Sequence, residues 1–146
     1  MQPKLHDGKD AMTHRILVVD DEAHILKVLS LKLRHCGYEV ITAVDGEDAL
    51  HTALNEKPDL VITDIQMPYM NGLELAVSLL GNKKTSHIPV VVLTARGHTL
   101  SACDTKIENV KKVLSKPFSP RGIAELVASL LEDVPNSVQS VTREAA

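Results

Sequence analysis

Ile16-Leu17-Val18-Val19-Asp20-Asp21-Glu22 is the stretch on which the fold turns. Four apolar residues stand in a row, three of them β-branched, and the run stops abruptly at acids. A strand with one wet face alternates apolar and polar residues. An unbroken run is what a strand covered on both faces carries. Outward from it the pattern recurs. A helical stretch follows from about Glu22 to Cys36, with Ile25, Leu26, Leu29, Leu33 and Cys36 on one face and Gly37 as its stop. Tyr38 to Ala43 reads as a second strand. Asp45 is placed to cap a helix running to about Lys57, with Ala49, Leu50, Ala53 and Leu54 inward, and Pro58 ends it.

Leu60-Val61-Ile62 is a third strand closing at Asp64, followed by a loop over residues 67–72 and a short helix from Leu73 to Leu80. Ile88 to Leu93 is the fourth strand. His98 to Glu108 carries a sparse helical stripe of Leu100, Cys103 and Ile107. Val110 to Leu114 reads as a fifth strand, interrupted by Lys111 and Lys112. A last helix starts at Ser119 or Pro120, with Ile123, Leu126, Val127, Leu130 and Leu131 on one face. Five strands alternating with five helices, joined by right-handed crossovers, predict an α/β doubly wound parallel sheet. The expected order is the flavodoxin-like 2-1-3-4-5, a (βα)5 arrangement with its ligand site at the carboxyl ends of the strands.

The 146 residues suit one domain, and 44% hydrophobic with 24% charged residues is an ordinary globular balance. No apolar run approaches the ~20 residues of a spanning helix. Two Tyr and one Phe argue against a base-stacking platform, and a net charge of −3 argues against direct nucleic-acid binding. The amino terminus lacks the apolar centre of a signal peptide, and Cys36 and Cys103 are too few for a disulfide scaffold, so a reducing, cytoplasmic setting is expected. Both cysteines are expected to be structural rather than reactive. Residues 1–12 read as a tail, 13–132 as the domain, and 133–146 as a tail or truncated linker.

The polar residues gather at the strand ends. Asp20 and Asp21 close the first strand, Asp64 the third, Thr94 the fourth and Lys116 the fifth. In a doubly wound sheet these ends share one edge. Three neighbouring carboxylates stay ionised together only with a compensating cation. A hard-oxygen set suits Mg²⁺, which also takes phosphate oxygens. Metal, ammonium and hydroxyl together suit a phosphoryl group, and a carboxylate oxygen can act as the attacking atom through an acyl phosphate. Taken alone, Asp20-Asp21-Glu22 also reads as a helix N-cap, Asp64 as a turn residue, Thr94 as a cap and Lys116 as a solvated surface lysine. The seven histidines show no metal-ligand spacing, and P-loop, GxGxxG and GxSxG motifs are absent.

Taken in order, LVVDDE at residues 17–22, DLVITDIQMPYMNG at 59–72, VVLTA at 91–95 and LSKPF at 114–118 resemble the receiver domain of two-component response regulators, the CheY-like family. The resemblance runs from about Thr13 to Leu131. It implies that Asp64 is the phosphoacceptor for a sensor histidine kinase or histidine phosphotransfer protein. It implies that Asp20, Asp21, Asp64 and the backbone carbonyl of Ile65 hold Mg²⁺. Thr94 would bond the phosphoryl oxygen and Lys116 would pair with the group, next to a Lys116-Pro117 bond that is typically cis in the family. Gln66 would lean over the phosphoryl group and tune attacking water. Such a domain is not an enzyme beyond its own phosphotransfer and slow self-dephosphorylation. It signals to an output protein or an attached output domain, as a monomer or a phosphorylation-dependent dimer.

Five positions, residues 109–113, depart from the family pattern. Val113 stands where an aromatic residue is usual, and valine has no ring to swing and little χ1 freedom. Asn109-Val110 replaces a small Gly-Ala pair, and Lys111-Lys112 replaces commonly acidic or polar positions. Switching by backbone ordering or by a partner is the expectation that follows. The alternative is a receiver-like interaction module indifferent to phosphorylation. An aspartate-nucleophile phosphatase would need Asp-x-Asp where Asp64-Ile65-Gln66 stands, and a flavin-binding relative would need a phosphate-cradling loop in place of Asp20-Asp21-Glu22.

Overall fold

The computed structural model describes residues 13–95, 107–116 and 118–133. Within them the chain forms strands β1 (Arg15–Val19), β2 (Glu39–Ala43), β3 (Leu60–Asp64), β4 (Val90–Thr94) and β5 (Val110–Ser115). The helices are α1 (Ala23–His35), α2 (Gly46–Glu56), α3 (Gly72–Leu80) and α4 (Pro120–Asp133). All pairings are parallel, in the order β2-β1-β3-β4-β5. The doubly wound α/β fold is therefore as expected. The predicted helical stripe at 98–108, Cys103 and the Lys116-Pro117 bond lie wholly or mainly outside the described residues, as do the predicted tails apart from Asp133.

The unbroken apolar runs have a simple cause. Alternate residues of each central strand enter two different cores. Leu17, Val19, Val61, Val90 and Val92 face Ala49 and Ala53 of α2 and Leu75 and Leu79 of α3. Ile16, Val18, Ile62, Val91 and Leu93 face Leu29 and Leu33 of α1 and Ile123 and Val127 of α4. With both faces covered, both register positions favour apolar side chains, and burial of each Leu, Ile or Val contributes about 1.5–3 kcal/mol. The one buried hydroxyl in the middle strand, Thr63, donates to the Asp64 carbonyl at 2.9 Å.

Local signals set the helix ends. The Asp45 carboxylate accepts the Asp48 N–H at 2.8 Å. Gly37, at φ 101°, closes α1 in a Schellman motif, its N–H donating to the Arg34 carbonyl at 2.9 Å and that of Tyr38 to Leu33 at 3.1 Å. Helix α3 starts at Gly72, one residue earlier than the periodicity predicts. The cause is a capping box: Asn71 accepts the Glu74 N–H at 2.8 Å and Glu74 accepts the Asn71 N–H at 2.9 Å.

Two expectations need correction. Cys36, placed on the inward face of its helix, is exposed, because the chain leaves the helix at that residue. The lysine pair does not weaken β5 either. Val90 pairs with Val110 but Val91 with Lys112, so Lys111 is the extra residue of a β-bulge. The bulge leaves both lysines exposed on an edge strand, where charge also discourages edge-to-edge pairing.

Candidate functional site

Strand register sets the site. Val19 pairs with Thr63 of β3, and Asp64 with Leu93 of β4, so Asp20, Asp64 and Thr94 emerge at one rim. Thr94 pairs with Ser115, and its carbonyl accepts the Lys116 N–H at 2.7 Å, which carries the lysine to the same rim. The Lys116 ammonium lies 3.3 Å from Asp64 Oδ1, 3.4 Å from Asp20 Oδ2 and 3.4 Å from Glu22 Oε1. Asp20 and Asp64 are buried and Asp21 is exposed, and one carboxylate oxygen from each lies within 4.8 Å of the others. Asp21 shares one cleft with Ile65 and the exposed Gln66.

The structure thus brings Asp20, Asp21, Asp64 and Lys116 together. Thr94 is buried at the same rim, with its hydroxyl turned to the Leu114 carbonyl over a long 3.5 Å. The Ile65 carbonyl accepts the Gly72 N–H at 2.9 Å and keeps a second lone pair. Glu22 was legible only as a helix-start residue. Its contact with Lys116 joins residues 94 apart in the chain, which no local pattern signals.

Charge is under tension here. Burial pushes the Asp20 carboxyl up to about 6, the Glu22 N–H bond (2.9 Å) opposing it, the Asp64 charge adding to it and Lys116 holding it back. Burial also raises Asp64, against the pull of Lys116 and with a push from Asp21. Lys116 is lowered by its own burial, but Asp20 and Asp64 more than reverse that and hold it above the usual lysine range. Four carboxylates, of Asp20, Asp21, Glu22 and Asp64, stand around one ammonium, so the site is short of positive charge. Three carboxylates and a carbonyl are the hard-oxygen set a Mg²⁺ ion takes, so the residues fit that ion.

A stability prediction follows. A folded-state carboxyl held above its ordinary value makes the native protein bind the extra proton. The associated stability is fully present below about pH 4 and is lost as pH rises through about 6. For Asp20 the loss is about 3 kcal/mol. Urea denaturation with metal chelated should show Asp20→Asn gaining on the wild type across that window. Equal pH profiles for the two proteins would contradict it.

Asn109 and Val113 have structural roles. The buried Asn109 donates Nδ2–H to the Ala76 carbonyl of α3 at 2.9 Å, tying the start of β5 to that helix. Val113 pairs with Val92 and packs on the core under α2 and α3.

Fold and site together define a doubly wound domain with an acidic pocket and one half-buried lysine at its strand ends. The sequence model of the response regulator receiver domain matches residues 16–128, and the chain belongs to that family of two-component response regulators. It is 38% identical over 120 residues to the alkaline phosphatase synthesis transcriptional regulatory protein PhoP of Bacillus subtilis, covering 82% of this chain and 49% of PhoP. It is 39% identical over 119 residues to the phosphate regulon transcriptional regulatory protein PhoB of Pseudomonas aeruginosa, covering 79% and 49%. The chain thus spans about half the length of these relatives. The chemotaxis response regulator CheY4 of Vibrio cholerae superposes with a TM-score of 0.74 at 30% identity, over 81% of this chain and 98% of CheY4. Among the described residues, no helix is long and apolar enough to cross a membrane.

Proposed function

We propose that Asp64 accepts a phosphoryl group from the phosphohistidine of a sensor histidine kinase or histidine phosphotransfer protein, with Mg²⁺ bound. The observation that carries this reading is the 3.3 Å pair between Asp64 and Lys116 inside a cluster of two further aspartates. An Asp64 carboxylate oxygen attacks phosphorus. The phosphorus–nitrogen bond of the donor breaks, its electron pair stays on the imidazole, and an acyl phosphate forms on Asp64. Lys116 exchanges carboxylate partners for phosphoryl oxygens, and the weakly held Thr94 hydroxyl turns toward the same group. Asp20, Asp21, Asp64 and the Ile65 carbonyl would hold Mg²⁺, which when bound would supply positive charge beside the transferring oxygens.

The chain does no further catalysis in this reading. Gln66 leans over the product and tunes its slow hydrolysis by water. The added charge then biases the surface around β5 and α4, and an output protein or an output domain reads it. Intact mass after incubation with acetyl phosphate tests the proposal. One phosphoryl group should appear with Mg²⁺ and not with chelator, and no mass gain in either arm would refute it.

Val113 favours a second reading, an interaction module indifferent to phosphorylation, since no ring couples the threonine to β5. The two readings part at partner binding: a phosphoacceptor binds its partner differently before and after phosphorylation. Within the main reading Val113 contributes packing alone. Val113→Ala should leave phosphoryl uptake unchanged, and a large loss of uptake would contradict that role.

A further inference from the structure

We propose that Glu22 is a charge filter on the pocket: it covers Lys116 from the solvent side and sets how well donors of different charge reach Asp64. The inference rests on the phosphoacceptor reading above. Three carboxylates share the Lys116 ammonium at 3.3–3.4 Å, but they are not equivalent. The side chains of Asp20 and Asp64 are 1% and 8% exposed, whereas that of Glu22 is 62% exposed. Glu22 is therefore the partner that stands where a donor arrives.

A second observation shows that the side chain is not spent on its helix. Glu22 is the N-cap residue of α1, with extended backbone at φ −95° and ψ 114°, where a side chain ordinarily accepts a first-turn N–H. Glu22 makes no such bond. Its backbone carbonyl alone accepts the Ile25 and Leu26 N–H groups, at 3.1 and 3.2 Å. The carboxylate turns to Lys116 instead, which makes it a positioning residue acting through the lysine.

The chemistry then has a definite order. An incoming phosphoryl group brings negative charge to a rim already carrying Asp20, Asp21, Asp64 and Glu22 against one lysine. It must displace Glu22 from Lys116 before its oxygens can take the ammonium. Repulsion grows with the net charge of the donor, and salt screens it. Acetyl phosphate carries two negative charges near neutral pH and releases acetate as the phosphorus–oxygen bond breaks. Phosphoramidate carries one net negative charge there and releases ammonia as its phosphorus–nitrogen bond breaks.

Glu22→Gln keeps the length and an oxygen for Lys116 but removes the charge. With saturating Mg²⁺ at low salt, it should speed uptake from acetyl phosphate about fivefold and from phosphoramidate about twofold. High salt should erase the difference between the donors. Glu22→Asp, which retains the charge, should keep the wild-type donor ratio, and the urea midpoint of Glu22→Gln should match the wild type. Equal acceleration of both donors, slower uptake, or an unchanged rate overturns the proposal. A fall in the urea midpoint with the donor ratio unchanged makes Glu22 a structural residue and overturns it too. If the wild type gains no phosphoryl group from either donor, the phosphoacceptor reading itself has failed.

Discussion

Asp64→Asn is expected to gain no phosphoryl mass from acetyl phosphate plus Mg²⁺ under conditions that fully modify the wild type. The attacking atom must be an anionic oxygen, and an amide oxygen offers neither the charge nor a stable product. The other buried carboxylate, Asp20, does not take its place: Oδ2 pairs with Lys116 and Oδ1 accepts the Glu22 N–H. The loss should be complete rather than partial. The variant should still fold. Burial raises the Asp64 carboxyl above its ordinary value, so a neutral isostere at neutral pH removes a desolvated charge and relieves repulsion from Asp21. Metal-free Asp64→Asn should therefore be no less stable than the wild type near pH 7, despite the lost pair with Lys116. Full modification of the variant would move the nucleophile to another residue and dismantle the proposed site.

Gly72→Ala should be among the most damaging single-methyl changes in the protein. A Cβ at that position would run into the Asp64 carbonyl oxygen and stand 3.1 Å from the Ile65 Cα and 3.2 Å from the Asp64 carbonyl carbon. All three are backbone atoms at the end of a central strand, so none can step aside as a flexible side chain would. The N–H of Gly72 is meanwhile bonded to the Ile65 carbonyl, which pins the two segments together. Relief requires breaking that bond or moving the end of β3, at about 3 kcal/mol or more. The displaced backbone carries Asp64 and the Ile65 carbonyl, so phosphoryl uptake should fall along with stability. Gly122→Ala is the control. Its added Cβ would meet Ser119 side-chain atoms at an ordinary 3.6 Å, inside α4. It should be neutral or stabilising by about 0.5–1 kcal/mol. Urea midpoints for the two variants decide the matter, and a Gly72→Ala protein as stable as the wild type would sink the steric argument.

Much of this domain is written locally. The runs at Ile16–Val19, Leu60–Ile62 and Val90–Leu93 announce strands covered on both faces because every residue in them is buried. Gly37 and the Asp45 cap are legible because a positive φ or an unpaired N–H selects residue types on its own. Asn71 and Glu74 also formed a readable pair, and reading them as a loop and a helix interior misplaced the start of α3 by one residue. Cys36 shows a related effect: a helical stripe extrapolated one residue too far points at a core the chain has already left.

By itself, then, the amino-acid sequence determined the alternation of elements, their burial on both sheet faces and the presence of acids at the strand ends. These depend on side-chain type and on periods of two or about three and a half residues, which are properties of neighbours in the chain. Only the tertiary structure decided that one ammonium is shared among Asp20, Glu22 and Asp64, that Lys111 is extruded in a bulge, and that Asn109 ties β5 to α3. Each of these joins groups far apart in the chain or depends on which residues face each other across two strands. Such contacts are set by strand register and side-chain direction once the sheet has assembled, and no local period encodes them.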